Sequence, residues 1–276
     1  MDIDNSYHFH YNSYKGKVMI KKIIIVLFAF LMMTEAYAKD MTISVIYNNV
    51  NFDKMLTSAW GMGCFIEGLD KTILFDTGGD GNILLSNMYK MRIKPEKIDI
   101  VFLSHIHEDH TGGLWRFLAV NPHVIVYLPS SFPENFKQRI KDKGSRLVEV
   151  DRPIEIFPGA YSTGESGNSI REQSLVLKTK QGLIIITGCS HPGIVNIANT
   201  AIQIYQEKIY LIIGGFHLGS ADDIEIKKII NELKALGVER IAPSHCTGER
   251  ATNNFKDAWN NNFIDAGCGA IIEVPL

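Results

Sequence analysis

Between Phe102 and Leu114 the chain reads FLSHIHEDHTGGL, which places His105, His107, Asp109 and His110 within one short segment. Neutral imidazole and carboxylate are borderline donors. They suit Zn2+ first, and iron or manganese with less preference. His105 and His107 are two apart on an extended segment, so their side chains leave the same side and can hold one metal. Asp109 and His110 follow where the chain turns into a helix and can hold a second. Gly112-Gly113 lets the backbone pass close beneath the loop. A chance cluster on a solvated loop is the plain alternative. The chain has only nine histidines, and three of them with two acids in one short stretch are too dense for that.

Other chemistry-bearing residues share one context. His105 follows the apolar run 97–103, Cys189 and His191 follow 183–187, His217 follows 209–213, and His245 follows 238–242. Four strands that end in histidine-bearing loops suggest one rim of a sheet, where active sites of α/β folds collect. His123 opens a strand and is read as structural. His8 and His10 lie near the N-terminus and receive no role. Asp76, beside glycines in FDTGG, reads locally as a turn former.

These residues need a scaffold, and the spacing supplies one. Alternating or continuous apolar runs predict strands at 42–48, 97–104, 123–129, 209–215, 238–245 and 268–276. Hairpins are predicted over 63–78 and 173–188. Helical spacing covers 81–91, 133–144, 193–207 and 221–237. Strands and helices mix throughout, so the class is α/β (α+β) in layers. The chain has 276 residues, 46% of them hydrophobic, and a formal net charge of −2. That balance is ordinary for a globular protein and indicates no nucleic-acid partner. The four cysteines form no CxxC pair and no disulfide lattice. The sequence says nothing of oligomeric state.

The N-terminus is a separate matter. In residues 19–38, Lys21 and Lys22 precede an apolar run from Ile23 to Met33, and Ala36-Tyr37-Ala38 forms a small-x-small site. This is the order of a secretory signal peptide, and the run is shorter than the roughly 20 residues of a membrane span. The expectation is a leader over 1–38, cleavage near Ala38, and a single domain over 39–276. The mature protein is then periplasmic or secreted, without a stable membrane anchor.

FDTGG (75–79), SHIHEDHTGGL (104–114) and the later strand-end histidines resemble the metallo-β-lactamase superfamily. WGMGCFIE, ITGCSHPGIVNI, IIGGFHL and APSHCTGERA resemble, more narrowly, its dihydropterin–ribofuranosyl-aminobenzene-phosphate synthase-like branch. The resemblance implies a four-layer αββα sandwich of two mixed sheets with helices outside and a site for two metals at one edge of the sheets. It implies Asp76 as a carboxylate that orients a ligand histidine through its second nitrogen, the reading preferred over a turn former. It implies His105 and His107 on one metal, and Asp109, His110 and His245 on the other. A histidine upstream of the 173–188 hairpin, common in the family, is absent, and His191 is its substitute. Cys189 stands where most hydrolases of this family carry a bridging aspartate. It is either a thiolate ligand or a buried neutral thiol.

Two metals about 3.5–4 Å apart lower the pKa of a bridging water toward neutrality, which makes a metal-activated hydroxide. The expected activity is hydrolysis of a small-molecule ester, with a phosphodiester or phosphate ester first. Asp109 is expected to orient the nucleophile as well as bind metal. His217 resembles an accessory histidine that protonates a leaving group or holds an oxyanion; metal ligation is its competing role. Hydrolysis of a lactone, thioester or β-lactam is the alternative on the same metals. An iron redox site and a non-catalytic metal-binding protein are the readings from other classes.

Overall fold

Residues 40–275 are described in the computed structural model, and the leader expected over 1–38 lies outside them. A seven-stranded sheet has the order β13-β1-β2-β3-β4-β5-β6. Its strands are β1 (Met41–Asn48), β2 (Met62–Glu67), β3 (Ile73–Phe75), β4 (Ile100–Phe102), β5 (Ile125–Pro129), β6 (Arg146–Val150) and β13 (Ile271–Val274). Strands β3 to β6 run parallel, and β13, β1, β2 and β3 pair antiparallel. The second sheet has six strands in the order β12-β11-β10-β9-β8-β7. They are β7 (Ile154–Phe157), β8 (Ala160–Ser162), β9 (Leu175–Thr179), β10 (Gly182–Thr187), β11 (Ile209–Gly215) and β12 (Arg240–Ser244). Here β10, β11 and β12 are parallel and the others antiparallel.

The continuous apolar runs follow from burial on both faces. In β10, Ile184 and Ile186 point into the core between the sheets, while Leu183 and Ile185 point outward. In β4, Ile100 and Phe102 face inward, and Val101 faces the opposite side. Helices cover both outer faces. Against the first sheet lie α1 (Gly81–Lys90), α3 (Leu114–Leu118) and α4 (Glu134–Asp142), through Leu84, Met88, Phe117 and Ile140. Against the second lie α5 (Ile194–Tyr205), α6 (Asp223–Ala235) and α7 (Glu249–Trp259), through Ile197, Ile230, Leu233 and Phe255. The short α2 (Glu108–Thr111) carries the metal-type segment. Asp80 caps α1 by accepting from the Asn82 and Ile83 amides, and Asp222 caps α6 by accepting from Glu225. Among the described residues no helix is long and apolar enough to cross a membrane.

Three expectations change. The histidine loops do not share one sheet: β4 belongs to the first, and β10, β11 and β12 to the second. The rim is therefore built where two sheets meet, which period-2 patterning cannot reveal. The strand expected over 97–104 shrinks to Ile100–Phe102, because Pro95–Lys97 takes a 3-10 turn. Strands β6, β7 and β8 and helix α7 fall where no element was assigned. Their outward positions are largely polar, which hid the apolar period.

Polar bonds stitch the sheets together at the rim. The Gln173 backbone amide donates to the Ser104 carbonyl at 3.0 Å, and its side chain donates to the Leu103 carbonyl at 2.9 Å. Asn48 at the end of β1 donates to Ser244 at the end of β12. Beneath the metal-type loop, a Cβ on Gly113 would strike the Thr77 carbonyl oxygen. Gly113→Ala should lower the unfolding free energy by about 1–3 kcal/mol in chemical denaturation, through overpacking.

Candidate metal centre

Asp76 begins the construction. It sits at the end of β3 with φ 51, a left-handed conformation unusual for a non-glycine residue, and is fully buried. Its Oδ1 accepts the Ser104 amide at 2.7 Å, and its Oδ2 accepts the Ser104 hydroxyl at 2.7 Å. The same Oδ2 lies 2.7 Å from His110 Nδ1. Ser104 has one hydroxyl proton, which goes to the carboxylate. Its oxygen must then accept from His105 Nδ1, 2.9 Å away. Both Nδ1 atoms are thereby protonated, and the Nε2 atoms of His105 and His110 are left free to face the site. The carboxylate reading of Asp76 agrees with this geometry.

The other strand ends bring the remaining donors. His245, on a left-handed backbone (φ 53), donates from Nδ1 to Asn49 Oδ1 at 2.7 Å, so its Nε2 also faces inward. That nitrogen is 3.2 Å from Asp109 Oδ2. Cys189 Sγ is 3.2 Å from His110 Nε2. Three overlapping sets result, each with ligand atoms within 4.8 Å of one another: His105, His107 and His191; Asp109, His110 and His245; and His105, His110 and Cys189 between them. All seven sequence-derived ligand candidates come together. His191 lies with His105 and His107.

Two observations test whether these residues suit a metal. The Nε2 atom of His191 is buried without a hydrogen-bond partner, that of His245 is buried against the Asp109 carboxylate alone, and a buried polar atom left unpaired is costly. A divalent cation satisfies both. The electrostatics agree. Burial, with the charges of neighbouring histidines, pushes His105 well below the usual imidazole range and His191 down to about 4. Burial raises Asp109, but the hydrogen bond from His245 and the charge of His110 outweigh it and bring the carboxyl down to about 2. Burial likewise opposes a charge on His110, yet the Asp76 carboxylate raises it. At neutral pH His105 and His191 are therefore neutral and Asp109 is ionised, which are the ligating forms.

His217 is exposed and its backbone is left-handed (φ 55). Its ring lies 4.6 Å from that of His191. No cysteine or acid flanks it in sequence, yet the fold sets it beside Cys189 and Cys246. A hydrogen bond with Cys246 raises its pKa. The two thiols share a hydrogen bond that raises Cys189 and lowers Cys246.

Sequence reasoning missed Glu172. It is buried, and its Oε1 accepts from the amides of Gly188, Cys189 and Ser190 and from the Thr187 hydroxyl, at 2.9–3.0 Å. Its Oε2 accepts the His191 amide at 2.8 Å. Burial raises its pKa against the pull of those donors. One carboxylate thus shapes the whole loop that presents Cys189 and His191. Its position 15 residues before Thr187 gave no local signal. Cys246 was visible only as the neighbour of His245.

Fold and site together define a class. A profile described as "Metallo-beta-lactamase superfamily" matches residues 64–195. The chain belongs to the metallo-β-lactamase superfamily, a family of metal-dependent hydrolases whose fold implies divalent metal binding. It is 34% identical over 265 residues to the 7,8-dihydropterin-6-methyl-4-(β-D-ribofuranosyl)-aminobenzene-5'-phosphate synthase of Methanocaldococcus jannaschii, across 78% of this chain and 90% of that protein. A solved metal-dependent hydrolase of the β-lactamase superfamily is 30% identical, with a TM-score of 0.72, covering 86% of this chain and all of that one. A diphosphatase of the PhnP family shares the fold at 14% identity, with a TM-score of 0.56, over 86% of this chain and 99% of its own.

Two outcomes are expected. Glu172→Ala strands five buried donors and should cost more than about 3 kcal/mol in denaturant unfolding. Glu172→Gln should retain more stability than Glu172→Ala. In metal-free protein, His191 binds its proton less readily folded than unfolded. Its contribution is therefore full above about pH 6.5 and is lost as pH falls toward about 4. His191→Gln should reduce that loss in unfolding measurements across the window.

Proposed function

We infer that this protein is an exported metallo-hydrolase that cleaves a phosphodiester or phosphate ester of a small molecule. The observation that carries the metal centre is the convergence of two three-residue donor sets, in one of which the His191 nitrogen is buried and otherwise unpaired. His105, His107 and His191 would hold one metal and Asp109, His110 and His245 the other, with Cys189 close to both His105 and His110. Zinc suits this nitrogen-rich set, with iron and manganese as alternatives. When bound, the pair supplies Lewis acidity and a water acidic enough to attack near neutral pH.

The chain's own residues do the rest. Asp76 and Asn49 lock the imidazole tautomers, so that Nε2 is the ligating atom in His105, His110 and His245. Asp109, ionised above about pH 2, orients the nucleophile beside His245. His217, exposed and with a raised pKa, holds a proton at the mouth of the site and gives it to the leaving oxygen. The phosphoester preference is supported by the relative named for a 5'-phosphate product. Export is supported by the signal-type segment at 19–38.

The test is elemental analysis of purified protein, with turnover of bis(p-nitrophenyl) phosphate followed in the same samples. Close to two metals per chain, with activity lost to a chelator and restored by Zn2+, is expected. Metal loading without turnover on phosphate, lactone and thioester substrates would overturn the hydrolase reading. Asp109→Asn should lower kcat by about 10²–10⁴-fold. His217→Gln should reduce cleavage of alkyl esters more than of p-nitrophenyl esters, because the poorer leaving group depends more on a proton.

A further inference from the structure

Two cavities flank the metal centre, and they are chemically unlike. One, of about 500 Å³, lies on the His245 side and is lined by Val50, Trp60, Glu249, Thr252 and Asn253. Trp60 is 60% exposed, and its ring sits 4.9 Å from that of His245. Val50 beside it is 45% exposed. A tryptophan left open to solvent at the edge of a polar site offers a face for a planar ring. The other cavity, of about 420 Å³, lies on the His191 side and is lined by Ser166, Asn168, Ser169, Asn196 and Thr200. Apart from Ile170, Pro192 and His191, its side chains are hydroxyls and amides, which match a hydroxylated, uncharged group.

Charge narrows the choice further. No lysine or arginine lines either cavity, and the one carboxylate is Glu249. Glu249 lies in the first turn of α7, whose N-terminus also borders the tryptophan cavity. A helix N-terminus carries roughly half a positive charge, which is less than the full negative charge of the carboxylate. The tryptophan cavity is therefore net unfavourable to an anion. A polyphosphate or a nucleic-acid strand needs cationic side chains along its path beyond the metal centre, and no lysine or arginine borders these cavities.

We propose that the substrate is an unsymmetrical diester with a single phosphate, which carries a neutral or cationic aromatic group into the Trp60 cavity and a hydroxylated, uncharged group into the Ser166–Thr200 cavity. This rests on the hydrolase reading and specifies its substrate class. In the reaction, water adds its oxygen to phosphorus, one P–O ester bond breaks, and the departing alkoxide takes a proton. The products are a phosphate monoester and an alcohol.

The test compares metal-loaded protein on benzyl glyceryl phosphate, benzyl methyl phosphate, diglyceryl phosphate and a benzyl ester of glyceryl pyrophosphate. Benzyl glyceryl phosphate should give the highest kcat/KM, and the pyrophosphate the lowest. Trp60→Ala should cut the ratio of kcat/KM for benzyl glyceryl over diglyceryl phosphate by about 3–10-fold, through KM, and Trp60→Phe should restore most of it. Thr200→Leu should cut the preference for benzyl glyceryl over benzyl methyl phosphate. Glu249→Lys should improve turnover of the pyrophosphate. Benzylphosphonate, which is not cleaved, is titrated by calorimetry in wild type and Trp60→Ala. Weaker binding in Trp60→Ala without turnover on any diester would retain the aromatic cavity and refute the hydrolase reading. Turnover with a Trp60→Ala ratio equal to wild type, or with the pyrophosphate preferred, would overturn the proposed substrate class.

Discussion

The site depends on one buried carboxylate. Asp76 has no exposed surface, and its two oxygens collect the Ser104 amide, the Ser104 hydroxyl and the His110 ring. A buried carboxylate is tolerated only when such donors surround it. The same bonds decide which nitrogen of His105 and of His110 carries the proton, and so which one faces a metal. Removing the Asp76 acceptor would release two rings at once. The left-handed backbone at Asp76 is the local strain that puts its side chain there, held by the Phe102 carbonyl on its amide.

Glu172 plays the matching part in the second sheet. It binds four consecutive amides, from Gly188 to His191, as a nest binds an anion. Two buried acids, one per sheet, thus hold the two halves of the centre. Gln173, next to Glu172, ties those halves together through Leu103 and Ser104. The metal-type residues sit on short segments, yet His105, His110 and His245 are each fixed by a bond to a residue beside a strand end. That rigidity suits a centre whose ligands must keep their geometry.

The thiols give this centre its particular character. Cys189 stands within reach of both donor sets, and Cys246 and His217 lie just beyond it. One outer cavity borders this core beside His245 and Cys246, and the other borders it beside His191.

The sequence by itself determined the donors and the strands that deliver them. HxHxDH after an apolar run, and single histidines after three other runs, are local patterns, because each residue type is placed by its own strand end. The strands and helices of 41–48, 81–90 and 194–205 were legible for the same reason: their apolar period is short-range. Tertiary structure alone decided that the four runs belong to two sheets, since pairing partners lie far apart in the chain. It also decided the role of Glu172, whose donors come from another loop, and the meeting of His217 with Cys246. Side-chain chemistry is written residue by residue, while convergence depends on long-range packing that no local window contains.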